Sequence, residues 1–200
     1  DARSELVLVD AGTCGSFGEL VDDLEKLGLE PNRVRSIIVT HRHFDHIGSL
    51  AEFKEQFGTR VLAHKLEAKA IETGEGTYAE RFGLVYKPCK VDVKLEGGES
   101  LKIGQYELQV VHIPGHTPGH IACYLDLVEK ERKRILFGGD VNGPYNRPSA
   151  DPVQATVSLQ RLVALKPDIL CEGHFGIYQP ADKAERFITA YLDMLQGMWI

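Results

Sequence analysis

The sequence predicts an α/β fold, on three observations. Along the first half of the chain, apolar runs of strand length alternate with segments whose apolar residues recur at helical spacing. In the second half, alternating segments separated by glycine turns point to antiparallel strands. The residues best suited to bind metal fall at the ends of the apolar runs, where sheet enzymes expose loops over a rigid support.

Each element follows from its own pattern. "LVLVD" is a short apolar run ending in Asp-Ala-Gly, a strand entering a turn. In "FGELVDDLEKLG", Phe17, Leu20, Val21, Leu24 and Leu27 keep helical spacing until Gly28 stops the pattern. "SIIVT" is the next buried strand, "IGSLAEFKEQFG" a helix closed by Gly58, and "RVLAH" a strand ahead of a helix near Lys65 to Thr73. Parallel strands with crossover helices are the simplest reading of that half. "VKLEGGESLKIGQYELQVVHIPG" then alternates around glycine turns, followed by "IACYLD" and "RILFGGD". "ATVSLQRLVALK" reads as a helix, "PDILCEGH" as a strand, and the end from Ala181 as an amphipathic helix carrying Phe187, Ile188, Tyr191, Leu192 and Leu195. The segment Thr73 to Val91 has no clear period.

Length and composition set the outer bounds. With 200 residues, 43% hydrophobic and 26% charged, the chain has enough material for one globular domain, residues 1–200, with a sizeable core. The net charge of −6 and the scattered basic residues argue against a nucleic-acid partner. Cys14, Cys89, Cys123 and Cys171 stand far apart, which fits reduced thiols and a cytoplasmic location better than a disulfide framework. No apolar run is long enough for a membrane span, and the opening lacks a signal-peptide pattern. A small-molecule substrate is the expected partner, and a homodimer is left open.

The stretch "HRHFDH" packs three histidines and an aspartate into six residues directly after a strand. With eight histidines in the chain, such a pattern would begin at a given position by chance only about four times in a million. His116, Asp140 and His174 sit at the ends of three further strands. A lone histidine is usually a surface or hydrogen-bonded core residue, but that explanation fails for the whole set. His41, His43 and His116 offer three imidazoles to one ion, the open set of a catalytic zinc. Asp45, His46 and His174 offer a second set, and Asp140 gives one oxygen to each ion. Two divalent ions would share a water acidified toward neutrality, the nucleophile of a hydrolase. A structural zinc would be closed by four ligands and richer in cysteine.

These motifs resemble the metallo-β-lactamase-fold hydrolases. "LVLVDAG", "THRHFDHIGSL", "IPGHTPGHI", "LFGGD" and "CEGH" occur in that family's order over nearly the whole chain. The resemblance implies an αββα sandwich of two mixed β-sheets with helices outside. It assigns His41, His43 and His116 to the first metal, Asp45, His46 and His174 to the second, and Asp140 to the bridge. Asp45 and Asp140 are the expected catalytic residues. The metals expected are two zinc ions, with iron or manganese as alternatives.

Within the family the chain resembles the glyoxalase II-like and lactonase-like branches. It is expected to lack the helical C-terminal domain with which glyoxalase II thioesterases bind glutathione, and the family's first strand pair is expected to be missing from this chain. Lactonases place a tyrosine three residues after the bridging aspartate; here Gly143 stands there and Tyr145 two further on, where packing is the favoured role. The expected substrate is a small ester, thioester or lactone. Two other activities compete: a mononuclear iron persulfide dioxygenase, whose arginine-bearing motif is replaced here by "VNGPYNRPSADP", and a phosphodiesterase or nuclease.

Several neighbouring residues have candidate supporting roles. Asp10 is expected to accept from a ligand histidine, and Thr40 and Thr117 either to orient ligands or to cap turns. His120 is expected to anchor its loop. His64 either lines the cavity or, more in keeping with an isolated histidine, lies at the surface. Cys89, Cys123 and Cys171 read as buried apolar fillers.

Overall fold

The computed structural model describes residues 5–128, 130–145 and 148–197. The charged opening at 1–4, and residues 146 and 147 of the segment after Asp140, lie outside the described residues. The chain divides into two compact units, Asp1–Glu96 with Ile103–Gln105, and Gly97–Lys102 with Tyr106–Ile200.

The first unit runs β1 (Leu6–Val9), α1 (Phe17–Lys26), β2 (Val34–Val39), a single turn α2 (Phe44–Ile47), α3 (Leu50–Phe57), β3 (Arg60–His64), α4 (Lys65–Thr73) and β4 (Val93–Leu95). Its four strands lie in chain order and all pairs are parallel. α1 buries Leu24 and rests Phe17 edge-on against Phe53 at 5.0 Å. α3 and α4 end where Gly58 (φ 69°) and Gly74 (φ 84°) adopt the left-handed conformation that stops a helix at low cost. The core gathers Val34, Ile37, Val39, Ile47, Leu50, Phe53, Val61 and Ile71. Buried apolar side chains of this size contribute about 1.5–3 kcal/mol each.

The second unit runs β5 (Ser100–Ile103), β6 (Tyr106–His112), β7 (Ile121–Val128), β8 (Arg132–Gly139), α5 (Pro152–Ala164), β9 (Ile169–Glu172), β10 (Gly176–Tyr178) and α6 (Ala181–Gly197). Its six-stranded sheet has the order β10-β9-β8-β7-β6-β5. β6, β7 and β8 pair antiparallel, and β9 then joins β8 in parallel. Asp151 caps α5 by accepting from the N–H groups of Val153 and Gln154, both at 3.0 Å, and Pro152 occupies the first helical position. Ala155, Leu159, Leu162, Ala184, Ile188 and Leu195 from the two helices form one core with Leu136 and Leu170.

Two strands depart from the sequence reading. β4 belongs to the first sheet, parallel to β3, rather than to the antiparallel run that follows it. Asp92 determines this: its carboxylate accepts from Val61 N–H at 2.8 Å and its own N–H donates to Val61 O at 2.8 Å. β10 has no sequence counterpart; it is a three-residue edge strand antiparallel to β9. The two-sheet α/β class is the one expected. None of the described helices is long and apolar enough to cross a membrane.

Candidate functional site

In the first unit the donors occupy the turn from β2 into α2. His41, His43 and His46 are buried and Asp45 half-buried. A hydrogen-bond relay fixes two of the imidazoles. Asp10, at the end of β1, accepts from Thr40 N–H at 2.7 Å through one oxygen. Its other oxygen lies 2.7 Å from Thr40 Oγ1 and 2.8 Å from His46 Nδ1. A hydroxyl has one hydrogen, and Thr40 gives it to the carboxylate. Thr40 Oγ1 therefore accepts from His41 Nδ1, 3.0 Å away. Both rings carry their proton on Nδ1, which leaves Nε2 of His41 and of His46 as lone-pair donors.

His41 Nε2 then faces His43 Nδ1 at 3.1 Å, and Asp45 and His46 bring donor atoms within 4.8 Å of each other. Gly48 allows this crowding. A Cβ there would fall 2.0 Å from the Thr13 carbonyl carbon, so the turn lies against the backbone that follows β1.

In the second unit three donors come from three strand ends. His116 follows β6, Asp140 directly follows β8, and His174 lies two residues beyond β9. His116 Nδ1 donates to Pro144 O at 3.2 Å, since a carbonyl can only accept, and its Nε2 lies 3.3 Å from Asp140 Oδ2. His174 Nε2 lies 3.2 Å from Asp140 Oδ1. Each oxygen of one buried carboxylate thus meets a different imidazole. Lone pairs facing one another at this range repel unless a proton or a cation lies between them, so this donor set fits divalent ions. Gly115, at φ 144°, precedes His116; a Cβ would strike Ala155 at 2.4 Å, so the loop is seated directly on α5.

Glu172, buried at the end of β9, accepts from the N–H groups of His174 and Phe175, both at 2.8 Å, and from Asn142 N–H at 3.4 Å. It ties the loop after Asp140 to the loop that bears His174. No sequence pattern singles out Glu172, although it lies inside "CEGH", or Glu67 in the first turn of α4.

The remaining candidates find other places. His64 is buried and caps α4: its Nδ1 accepts from Leu66 N–H at 3.3 Å, which leaves Nε2–H to donate to Glu96 O at 3.1 Å. The surface role expected for it does not hold. Tyr145 is buried and donates to Val141 O at 2.6 Å, and burial pushes its hydroxyl pKa up, so it packs as expected. His120 O accepts from Ile113 N–H at 2.8 Å and closes its loop, while Thr117 O accepts from Gly115 and His120 N–H. Cys89 and Cys123 are buried but Cys171 only half so; burial raises the Cys89 thiol to about 11, which keeps it protonated.

Residues 2–174 match the family model of the metallo-beta-lactamase superfamily. The chain belongs to that superfamily. It is a metal-dependent hydrolase by that membership. A relative in Haemophilus influenzae, hydroxyacylglutathione hydrolase GloC, is 29% identical over 198 residues, covering 93% of this chain and 87% of its own length. The probable metallo-hydrolase MJ0888 of Methanocaldococcus jannaschii is 31% identical over 163 residues, 78% of this chain and 74% of its own. In fold the chain is similar to the class B3 di-zinc metallo-beta-lactamase LRA-12 from an Alaskan soil metagenome, with TM-score 0.81 and 21% identity over 98% of this chain and 83% of that one.

Proposed function

We propose that the seven donors hold two divalent ions, zinc foremost, and that the protein hydrolyses a small acyl thioester, with esters and lactones as lesser substrates. The observation that carries this reading is Asp140, whose two oxygens face His116 and His174 separately at 3.3 and 3.2 Å. His41, His43 and His116 would hold one ion, Asp45, His46 and His174 the other, and Asp140 would give an oxygen to each. Such ions, when bound, polarise a carbonyl and bring the pKa of water toward neutrality.

The chain's own groups do the rest. Asp10 and Thr40 keep His41 and His46 in the tautomers that leave Nε2 available. Asp45 takes the proton of the attacking water on its carboxylate and returns it to the departing thiolate. The acidic net charge of −6 favours a small substrate over a nucleic acid. The di-zinc LRA-12 supports zinc, and the relative GloC, a hydroxyacylglutathione hydrolase by name, supports a thioester.

The test is a panel of acyl thioesters, lactones, bis-p-nitrophenyl phosphate and a short RNA, each with zinc, manganese and iron. Thioester hydrolysis with zinc is the expected result. Efficient RNA cleavage without acyl hydrolysis under any metal would overturn the proposal.

A further inference from the structure

The carboxylate of Glu67, in the first turn of α4, is fully buried. Its Oε2 accepts from the backbone N–H of Arg42 at 3.0 Å, and its Oε1 lies 3.5 Å from the Arg42 guanidinium. Arg42 is the residue between His41 and His43. Burying a carboxylate costs several kcal/mol unless its partners are good ones. As an ion pair this contact is poor, because the guanidinium bond is long and the buried Arg42 Nε has no hydrogen-bond partner among the described residues. The good bond is the one to the peptide.

That peptide governs how the two imidazoles are aimed. Around His43 the backbone is extended (φ −67°, ψ 145°), and the rings of His41 and His43 meet edge to face with centroids 4.6 Å apart, while the N–H groups of Arg42 and Phe44 flank His43 in the chain. Both N–H groups are held: Arg42's by Glu67, and Phe44's by Thr77 O at 3.0 Å. Without the Glu67 oxygen, the His41–Arg42 peptide loses the acceptor that fixes its orientation, and the 3.1 Å pairing of His41 Nε2 with His43 Nδ1 loses that support.

We infer that Glu67 is a positioning residue for the metal: from α4, by accepting the Arg42 N–H, it holds His41 and His43 in ligand geometry. This deepens the function proposed above and rests on its reading of these histidines as ligands.

The experiment measures zinc affinity of the purified full chain by competition with a chromophoric chelator, together with the melting temperature of the metal-free protein. Glu67→Ala should bind zinc about tenfold more weakly than the parent, the low end of what loss of a ligand's support costs. Glu67→Gln, whose amide oxygen can still accept the N–H, should stay within about threefold of the parent on the same ground. Should Glu67→Ala fail to fold, Glu67→Asp takes its place: it keeps the charge, draws the oxygen back by one methylene and should show the same loss. A role in stability alone would lower the melting temperature and leave zinc affinity unchanged; that result overturns the inference, as does a Glu67→Gln loss equal to that of Glu67→Ala. A parent that binds no zinc would remove the metal reading of the donors and this inference with it. A parent that binds, beside a Glu67→Ala that binds equally well, would remove the inference alone.

Discussion

The two units assemble their donors in opposite ways. The first draws His41, His43, Asp45 and His46 from one short stretch after β2, and three residues from outside that stretch, Asp10, Glu67 and Thr77, hold it in place. The second draws one donor from each of three strand ends, and the two oxygens of Asp140 face His116 and His174 separately. Burial cuts across this division: His41, His43, His46, His116 and Asp140 are buried, Asp45 is half-buried and the His174 side chain is 37% exposed. A local motif can be supported redundantly from outside. A set gathered from separate loops needs ties between those loops, which Asp140 and Glu172 supply.

This contrast predicts a ranking of damage. Asp140→Ala should cost the most, at least about a hundredfold in kcat/KM, since both imidazoles of its unit lose their common partner and each ion an oxygen. Asp10→Asn should cost about tenfold in metal affinity, because Thr40 and the Glu67 bond still hold the turn. Asparagine is the right replacement there, as Asp10 has φ 64°, which alanine tolerates poorly. Equal losses from the two variants in steady-state kinetics and chelator competition would end the contrast.

The smallest effect concerns the support beneath Asp140. Asp126 on β7 accepts from Arg134 on β8 at 2.9 Å, and that bond holds its carboxyl below the usual carboxylate range. A lowered folded-state pKa contributes stability above the ordinary value and loses it as the pH falls through the lowered one. Asp126→Asn should therefore cost under about 1 kcal/mol at neutral pH, with the difference from the parent vanishing in acid. Denaturant melts at several pH values read this out. Zinc affinity should not change; a marked loss would show that β8 is a weaker support for its ligand than the sheet implies.

The same contrast explains what the sequence disclosed. The donors of the first unit were legible because their chemistry is packed into "HRHFDH". His116, Asp140 and His174 were legible only because each ends a strand. Supporting residues were hidden to the degree that their partners are remote. Asp10 showed at a strand end, but Glu67 reads in sequence as an ordinary acidic residue in a helix's first turn, and only the fold turns it onto Arg42. The sheet to which β4 belongs is hidden in the sequence for a related reason. Three residues have too little period to name a sheet, and the deciding bond runs from Asp92 to Val61. The parallel pairing of β9 likewise depends on Asp168, which accepts from Arg134 N–H at 2.7 Å and whose own N–H donates to Arg134 O at 2.9 Å.

The central claim is that all seven donors serve two ions. Elemental analysis of the protein after loading with excess zinc and removal of unbound metal tests it most directly. Two ions per chain are predicted, falling to one or none in Asp140→Ala. A parent chain that holds no more than one ion under these conditions would contradict the account.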